Sequence, residues 1–292
     1  MHNTVKEYVT ITIAVCISVL VALACAQGSL IAGEYPVLFI CLFISFVIQW
    51  VIFLPSYYFS TERFYDITGS ITYIIVILTA LYHKNNFIGH RSDIRSLLIA
   101  IFILVWAFRL GSFLFIRVLK DKEDRRFSEW KKSFHMFIRV WTLQGLWVFL
   151  TSIAGMTAIT SRKIIGPDIF LYVGSLIWVV GFLFESIADY QKRKFRSANP
   201  KEFIHTGLWS LSRHPNYFGE IILWCGIALM AFPTLTGTQF VSLVSPIFVF
   251  LLLTRVSGVH ILEKHADETW GNKKDYKRYK EKTPVLFPKI FK

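Results

Sequence analysis

Acidic and basic side chains follow one another at helical spacing at the end of a long apolar run. Glu185, Asp189 and Arg193 stand at i, i+4 and i+8, so on a helix they share one face, and Arg196 follows three residues later. Carboxylates and guanidinium groups in this pattern can form ordinary ion pairs at a helix end or bind a polar ligand. Glu185 weakens the first interpretation, because it lies a full turn back into apolar sequence, where a solvated face would not reach.

A second polar group opens the next apolar run. Pro215 suits the first turn of a helix, since its missing N–H would be unpaired there anyway. Asn216 and Glu220 are i and i+4 on one face, and Arg213 and His214 lie just before them. A helix N-terminus with neighbouring cations is a ready anion site. A helix cap alone does not explain a carboxylate in an apolar run, so this pattern predicts a binding site.

Polar residues also interrupt other apolar runs, at Arg109, Gln144 and Arg255. Ionisable groups within a span are costly, so they mark a site or an internal pair. All four cysteines fall inside apolar runs without metal-ligand spacing, and no metal site is predicted. The sequence has no Gly-x-Gly-x-x-Gly after a strand and no Walker loop, so any nucleotide would be bound by a helical bundle and its loops.

The elements that must position these residues are apolar runs long enough to cross a bilayer. Hydrophobic residues make up 54% of the 292 residues, the mean hydropathy is +0.50, and a spanning helix needs roughly 20 apolar residues. We therefore expect an all-α polytopic membrane bundle with seven or eight transmembrane helices. Residues 1–60 would form N-terminal transmembrane helices and residues 61–292 a second, functional domain with a C-terminal tail. Five runs meet that length, at residues 9–31, 36–59, 94–119, 137–159 and 168–186, and shorter or patchier candidates lie at residues 67–82, 218–232 and 240–262.

The basic residues that give the net charge of +13 are distributed along the chain as expected of a membrane protein, not of a nucleic-acid-binding protein. Lys and Arg accumulate in cytoplasmic loops. Three basic segments, at residues 117–139, 192–201 and from 264 onward, are predicted to share the cytoplasmic side with both termini. The loop at residues 83–95 contradicts this pattern, because it places Lys84, Arg91 and Arg95 on the opposite side.

The polar motifs resemble those of a known membrane family. Gly207-Leu208-Trp209 with the run at 212–220 looks like the hallmark of the steroid 5α-reductase C-terminal family, and more closely of an uncharacterised branch of it. The likeness extends from Arg63 to Pro288. It is carried further by residues 63–70, 109–111, 124–127 and 184–192, and by Glu263, Tyr276, Tyr279, Thr283, Pro284 and Pro288.

The resemblance implies an activity and a cofactor. The family reduces carbon–carbon double bonds conjugated to a carbonyl, or in sterol rings, with NADPH inside a membrane bundle. Carried over, Asp189, Arg193 and Arg196 would hold the adenosine and phosphates, while Asn216 and Glu220 would hold the nicotinamide end. The full set of expected cofactor-binding residues is Glu185, Asp189, Arg193, Arg196, Arg213, His214, Asn216, Tyr217, Glu220, Tyr276 and Tyr279.

The chain departs from steroid reductases where the substrate would lie. Glu185 stands where those enzymes offer an Asn, and their substrate-polarising tyrosine and glutamate have no secure counterpart. Arg109, or Tyr65 with Asp66, could take that catalytic role. The expected substrate is therefore a lipid-like small molecule, in an endoplasmic reticulum or bacterial inner membrane, without a nucleic-acid partner. The sequence specifies neither the substrate nor the oligomeric state.

Two alternatives remain open. Membrane methyltransferases of the isoprenylcysteine or phospholipid type also use an Arg-His-Pro-x-Tyr-x-Gly run and a C-terminal Tyr-x-x-Tyr, and they bind S-adenosylmethionine. They typically carry paired glutamates before the tail, whereas Glu263 has no adjacent acidic residue. Arg193 and Arg196 suit the phosphates of a dinucleotide, which a methyl donor lacks. A non-catalytic scaffold of reductase ancestry is the third possibility.

Overall fold

Long helices make up most of the structure, a computed structural model that describes residues 2–89, 92–121 and 127–289. One pair of two-residue strands, β1 (Ile31–Ala32) and β2 (Tyr35–Pro36), is antiparallel. Within the described residues, eight helical stretches are long and apolar enough to cross a membrane. The prediction of an all-α polytopic membrane bundle is confirmed, with eight spans. The helices are α1 (His2–Cys25), α2 (Val37–Tyr58), α3 (Tyr65–Ile88), α4 (Ile94–Asp121), α5 (Phe134–Thr160), α6 (Ile169–Ala198), α7 (Pro215–Ala231), α8 (Val244–Leu251), α9 (Val259–Trp270) and α10 (Lys274–Lys282).

The first and last predicted runs differ from the helices observed. α1 ends at Cys25 rather than residue 31, because the chain turns at Gly28, whose φ of 73° is unfavourable for other residues, and then enters β1. The run at residues 240–262 is not one helix. It comprises a 3₁₀ stretch (Gly237–Leu243), α8, a π-helical turn (Leu252–Val256) and α9. These irregular turns shorten the regular part of the eighth span.

The chain divides into two compact units. Unit 1 comprises Met1–Asp168 and Met230–Ser245, and unit 2 comprises Ile169–Leu229 and Pro246–Lys292. These units are not the predicted segments 1–60 and 61–292, and that division stays a prediction about function.

In unit 1, α1, α2, α3 and α4 all contact α5, which is the central helix of this unit. The second half of α5, residues 148–160, is buried at every position. The segment Met230–Ser245 completes the unit by hydrogen bonds to the end of α1. Thr238 Oγ1 donates to the Ala24 carbonyl over 2.6 Å, and Gln239 Nε2 donates to the Gln27 carbonyl.

Two cations of the basic loop at residues 83–95 are buried and form ion pairs in unit 1. Lys84 is completely buried, its ammonium lies 2.9 Å from Asp93, and it donates to two backbone carbonyls after α5. Arg95 is 1% exposed and lies 2.8 Å from Asp168. The positive-inside rule concerns charges in solvated loops, so these two residues do not oppose the predicted orientation. Arg91 lies outside the described residues.

In unit 2, α6 and α7 are antiparallel and approach each other closely at glycines. A Cβ at Gly219 would lie 2.5 Å from the Glu185 nitrogen and 2.6 Å from the Gly181 oxygen, and one at Gly226 would lie 2.7 Å from the Gly174 oxygen. The glycines are seven residues apart in each helix, so the contact repeats every two turns. Small residues allow this backbone-to-backbone packing between membrane helices. It brings the C-terminal half of α6 against the N-terminus of α7.

Candidate functional site

The end of α6 and the start of α7 bring polar side chains together in unit 2. Asn216 Nδ2 donates a hydrogen bond to Asp189 Oδ1 over 3.2 Å. Asp189, Glu185 and Glu220 are 8%, 2% and 7% exposed, and Glu185 lies where Gly219 allows the closest approach of the helices. Glu185, Asp189 and Asn216 therefore occupy one helix–helix contact, and Glu220 is buried one turn further along α7.

Two buried acceptors at the start of α7 have no hydrogen-bond partner: Asn216 Oδ1 and His214 Nδ1. The Asn216 amide has a defined orientation, because a carboxylate such as that of Asp189 accepts hydrogen bonds and its partner must be the NH₂ group. Most buried polar atoms in proteins are hydrogen-bonded. A buried acceptor without a donor is therefore a position where a ligand can supply one.

The two cations predicted to attract an anion are both bound to one carboxylate. Arg213 Nη1 lies 2.5 Å from Glu263 Oε2, and His214 Nε2 lies 2.9 Å from Glu263 Oε1. Burial lowers the pKa of His214 below its usual value despite the neighbouring Glu263 carboxylate, and the cations Lys192 and Arg213 lower it further. The imidazole is therefore neutral at pH 7, with its Nε2–H directed to Glu263 and Nδ1 left as an acceptor. In this arrangement Arg213 and His214 do not form an open anion site.

The candidate tyrosines lie close to this carboxylate cluster but have intramolecular partners. Tyr276 donates to Asp267 Oδ1 over 3.2 Å, and Tyr279 donates to the Trp209 carbonyl over 2.6 Å. Burial is the main cause that raises the pKa of each hydroxyl, so both are protonated at neutral pH. Tyr217 stacks on His214, with ring centroids 5.6 Å apart. The Tyr279 bond attaches α10 to the segment that precedes α7.

The remaining predicted cations lie on the surface beyond the buried carboxylates. Arg193 and Arg196 are exposed on the last two turns of α6. On the same helix, the Lys192 ammonium lies 4.6 Å from the ring centroid of Trp209, at a cation–π distance. The polar end of unit 2 thus changes from buried carboxylates to exposed guanidinium groups along α6.

The three predicted catalytic residues belong to unit 1, whereas every predicted cofactor-binding residue belongs to unit 2. The Tyr65 hydroxyl donates to the Val140 carbonyl over 3.2 Å, and Asp66 lies 3.5 Å from Arg117, a weak ion pair. Arg109 is half-buried in α4. Asp124, Arg125 and Arg126, which carry part of the family likeness, lie outside the described residues.

Glu263 is the principal site residue that the analysis of spacing missed. It belongs to the C-terminal motif, but helical spacing predicts no role for it, because its partners Arg213 and His214 precede it by 50 and 49 residues. Its spacing of one helical turn from Asp267 indicates an acidic face on α9. Lys280 of α10 lies 2.6 Å from Asp267 and extends this network. In the described ranges, no group of three His, Cys, Asp or Glu side chains could hold a metal ion.

Comparison with known proteins places the chain in a family. No curated protein and no solved structure matches it. The model of a family described as "Protein of unknown function (DUF1295)" matches residues 50–283, which include the end of α2 and all of α3 to α10. The chain therefore belongs to this family, a membrane family similar to the steroid 5α-reductases.

Proposed function

We propose that the protein is an integral membrane, NADPH-dependent reductase of a carbon–carbon double bond in a steroid-like or other lipid substrate. The observation that supports this best is the contact between α6 and α7. Asn216 there is hydrogen-bonded to Asp189, keeps one acceptor without a donor, and lies near the buried carboxylates Glu185 and Glu220. A ligand with an amide NH₂ group suits this arrangement.

The residues of unit 2 fit the two chemically different ends of NADPH. The nicotinamide carboxamide carries an NH₂ donor, which Asn216 Oδ1 can accept. Arg193 and Arg196 present planar guanidinium groups at the surface, and this group binds phosphate through two parallel hydrogen bonds. When bound, NADPH supplies a hydride; the protein orients it and excludes water. Arg213 and His214 contribute differently from the prediction, because they hold Glu263 and so position the start of α7.

Substrate polarisation remains a proposal based on sequence. We propose Arg109, or Tyr65 with Asp66, for this role. In the structure the Tyr65 hydroxyl donates to Val140, so it would have to exchange that bond for one to a substrate carbonyl. An added proton completes the reduction after hydride transfer.

An S-adenosylmethionine-dependent methyltransferase acting on a lipid or prenylated substrate is the second candidate. Two observations favour it. Glu263, which has no acidic neighbour in sequence, has Asp267 one helical turn away and shares Lys280 with it. Buried carboxylates at the start of α7 also suit the sulfonium of a methyl donor.

Ligand-dependent thermal stability in detergent distinguishes these functions. A ligand at 100 times its Kd that binds only the folded state stabilises it by about 2.7 kcal/mol. We expect NADPH to raise the melting temperature more than NADH or S-adenosylmethionine. The Arg193→Ala/Arg196→Ala variant should lose the preference for NADPH over NADH, whereas Lys194→Ala, on the same exposed helix end, should keep it. Stabilisation by S-adenosylmethionine alone would select the methyltransferase.

We also propose that the termini and the basic segments of unit 2 face the cytoplasm, in either an endoplasmic reticulum or a bacterial inner membrane. Lys194 and Lys273 are exposed residues of these segments. A single cysteine placed at either position should react with an impermeant maleimide from the cytoplasmic side only. Reaction from the opposite side would contradict the orientation.

A further inference from the structure

The C-terminal helix α10 is attached to unit 2 through one face. Tyr276 and Lys280 on this face bind Asp267, at 3.2 and 2.6 Å. The Tyr279 hydroxyl donates to the Trp209 carbonyl over 2.6 Å. These contacts fix the orientation of α10, so the residues on its opposite face point away from the part of unit 2 to which the helix is bound.

The opposite face of α10 is exposed and mainly basic. Six of its nine side chains are exposed, four basic and two acidic, which gives them a net charge of +2. They are Lys274, Asp275, Lys277, Arg278, Glu281 and Lys282. Lys274, Arg278 and Lys282 stand at i, i+4 and i+8 and form one row along the helix. Among the described residues, no carboxylate forms an ion pair with any of the four basic side chains, so this face is available to an external partner.

Both ends of α10 lie close to points where a span reaches the membrane surface. The eighth candidate span ends at Trp270, and α10 begins four residues later. Beyond α10, the Pro284 carbonyl accepts a hydrogen bond over 2.9 Å from the backbone nitrogen of Arg213, two residues before the seventh span begins at Pro215. A nine-residue helix is about 14 Å long, so no part of α10 lies far from the surface.

Exposed apolar side chains follow the basic face. Phe287 is 67% exposed, and its ring centroid lies 6.1 Å from that of Phe218 in the first turn of α7. Val285, between α10 and Phe287, is 39% exposed. Segments that lie in a membrane interface combine Lys and Arg with exposed apolar residues such as Phe. The position of Phe287 beside the start of a span indicates that these two side chains lie at the level of the lipid headgroups.

We propose that the basic face of α10 binds anionic phospholipid headgroups of the bilayer that the protein spans, with Phe287 inserted among the lipids beside it. Clusters of about four or more Lys and Arg residues next to a span attract anionic lipids, and the attraction extends over about one Debye length. The lipids hold the outer face of α10 while Tyr276, Tyr279 and Lys280 hold its inner face, so anionic lipid stabilises the attachment of the tail to unit 2. This contact goes beyond the proposed reductase function and does not depend on it.

Amide hydrogen exchange of α10 tests the proposal with the full-length protein in nanodiscs. One set of nanodiscs contains phosphatidylcholine alone, and the other contains phosphatidylcholine with phosphatidylglycerol. In the anionic nanodiscs at about 0.1 M salt, we expect the exchange of α10 to be about tenfold slower, because each basic residue near an anionic surface adds to the attraction. The difference should disappear at about 1 M salt, where the Debye length is about 3 Å. Both leaflets of a nanodisc carry the same lipids, so the result does not depend on the orientation of the protein.

Substitutions on the basic face separate its role from the total charge of the protein. Lys274→Gln/Arg278→Gln/Lys282→Gln removes the row of three cations and should abolish the difference between the two kinds of nanodisc. Lys277→Gln/Arg278→Gln is the second variant if the triple variant does not fold, and it should reduce the difference.

The matched control is Lys194→Gln/Lys201→Gln/Lys264→Gln, which removes three cations from other exposed positions of unit 2 and should retain the difference. Equal exchange of α10 in the two kinds of nanodisc overturns the proposal, and so does a difference that persists at about 1 M salt. Loss of the difference in the control overturns the assignment to α10, because the effect would then follow total charge. None of these measurements involves a nucleotide, so the reductase proposal is tested separately.

Discussion

The buried pair of Lys84 and Asp93 allows a quantitative test of how unit 1 is stabilised. The Lys84 ammonium contacts Asp93 at 2.9 Å and donates to the Ser161 and Lys163 carbonyls over 2.6 and 3.1 Å. Asp93 in turn accepts from the backbone nitrogen and hydroxyl of Ser96 at the start of α4. We propose the variants Lys84→Met and Asp93→Asn, singly and together, because Asn preserves the helix cap.

The expected energies follow from burial, since the two side chains are 0% and 4% exposed. Removing one partner of a buried ion pair leaves an uncompensated charge and costs about 3–5 kcal/mol. Lys84→Met also deprives two carbonyls of a donor, at about 1–3 kcal/mol each. The double variant leaves no unpaired charge. Its loss of unfolding free energy should therefore be smaller, by about 2–3 kcal/mol, than the sum of the losses in the two single variants.

Reversible unfolding by sodium dodecyl sulfate in mixed micelles, followed by circular dichroism, measures these free energies. Glu129 and Lys132 provide the matched control, because they form an ion pair at 2.7 Å but are 74% and 68% exposed. Their coupling energy should be below about 1 kcal/mol. A Lys84–Asp93 coupling as small as that of the exposed pair, or single variants that lose less than about 1 kcal/mol, would refute the role assigned to the buried pair.

Three further predictions concern the remaining features. Gly219→Ala should push α6 away from α7 and lower the free energy of unfolding by about 1–3 kcal/mol through overpacking. It should also weaken ligand binding measured by calorimetry. Gly166→Ala, where an added Cβ meets nothing within 4 Å, should do neither. The lowered pKa of His214 means that the unfolded state binds more protons below about pH 6.5. Stability should therefore fall as the pH decreases through this range, and His214→Gln should flatten the melting-temperature profile. Arg109→Leu should impair folding or turnover, because a cation within a span is costly unless it is paired or lines a polar cavity. The control Arg63→Leu, at an exposed position, should change neither the yield nor the turnover. Normal yield and turnover of Arg109→Leu would show that Arg109 has no such role.

Local patterns in the sequence predicted the spans and one polar contact. Apolar length predicted five of the eight spans directly, because a bilayer imposes a minimum length on any helix that crosses it, and the other three were shorter or patchier candidates. Helical spacing predicted that Asn216 shares a face with Glu220, and that Asp189 shares one with Glu185. The hydrogen bond between Asp189 and Asn216 is the contact that both patterns allow.

Ion pairs between residues far apart in the sequence were not predicted. Arg213 and His214 next to a helix N-terminus indicated an open anion site, but their partner Glu263 lies about 50 residues further along the chain. Likewise, Lys84 and Arg95 looked like loop charges, because the burial of a side chain depends on which distant segment covers it. Periodicity describes which residues share a face of one helix and says nothing about what that face contacts.

The discontinuous composition of the two units has a consequence for biogenesis. The Ala24 carbonyl of α1 accepts from Thr238, and the Gln27 carbonyl just after α1 accepts from Gln239, 212 residues further along the chain. At synthesis rates of about 5–20 residues per second, the end of α1 waits about 10–40 s for these donors. During this interval α6 and α7 are made, although the second segment of their own unit begins only at Pro246. Unit 1 cannot finish folding before Ser245 has been translated, and unit 2 needs the segment that begins at Pro246, so both units are completed only as the eighth span is being made.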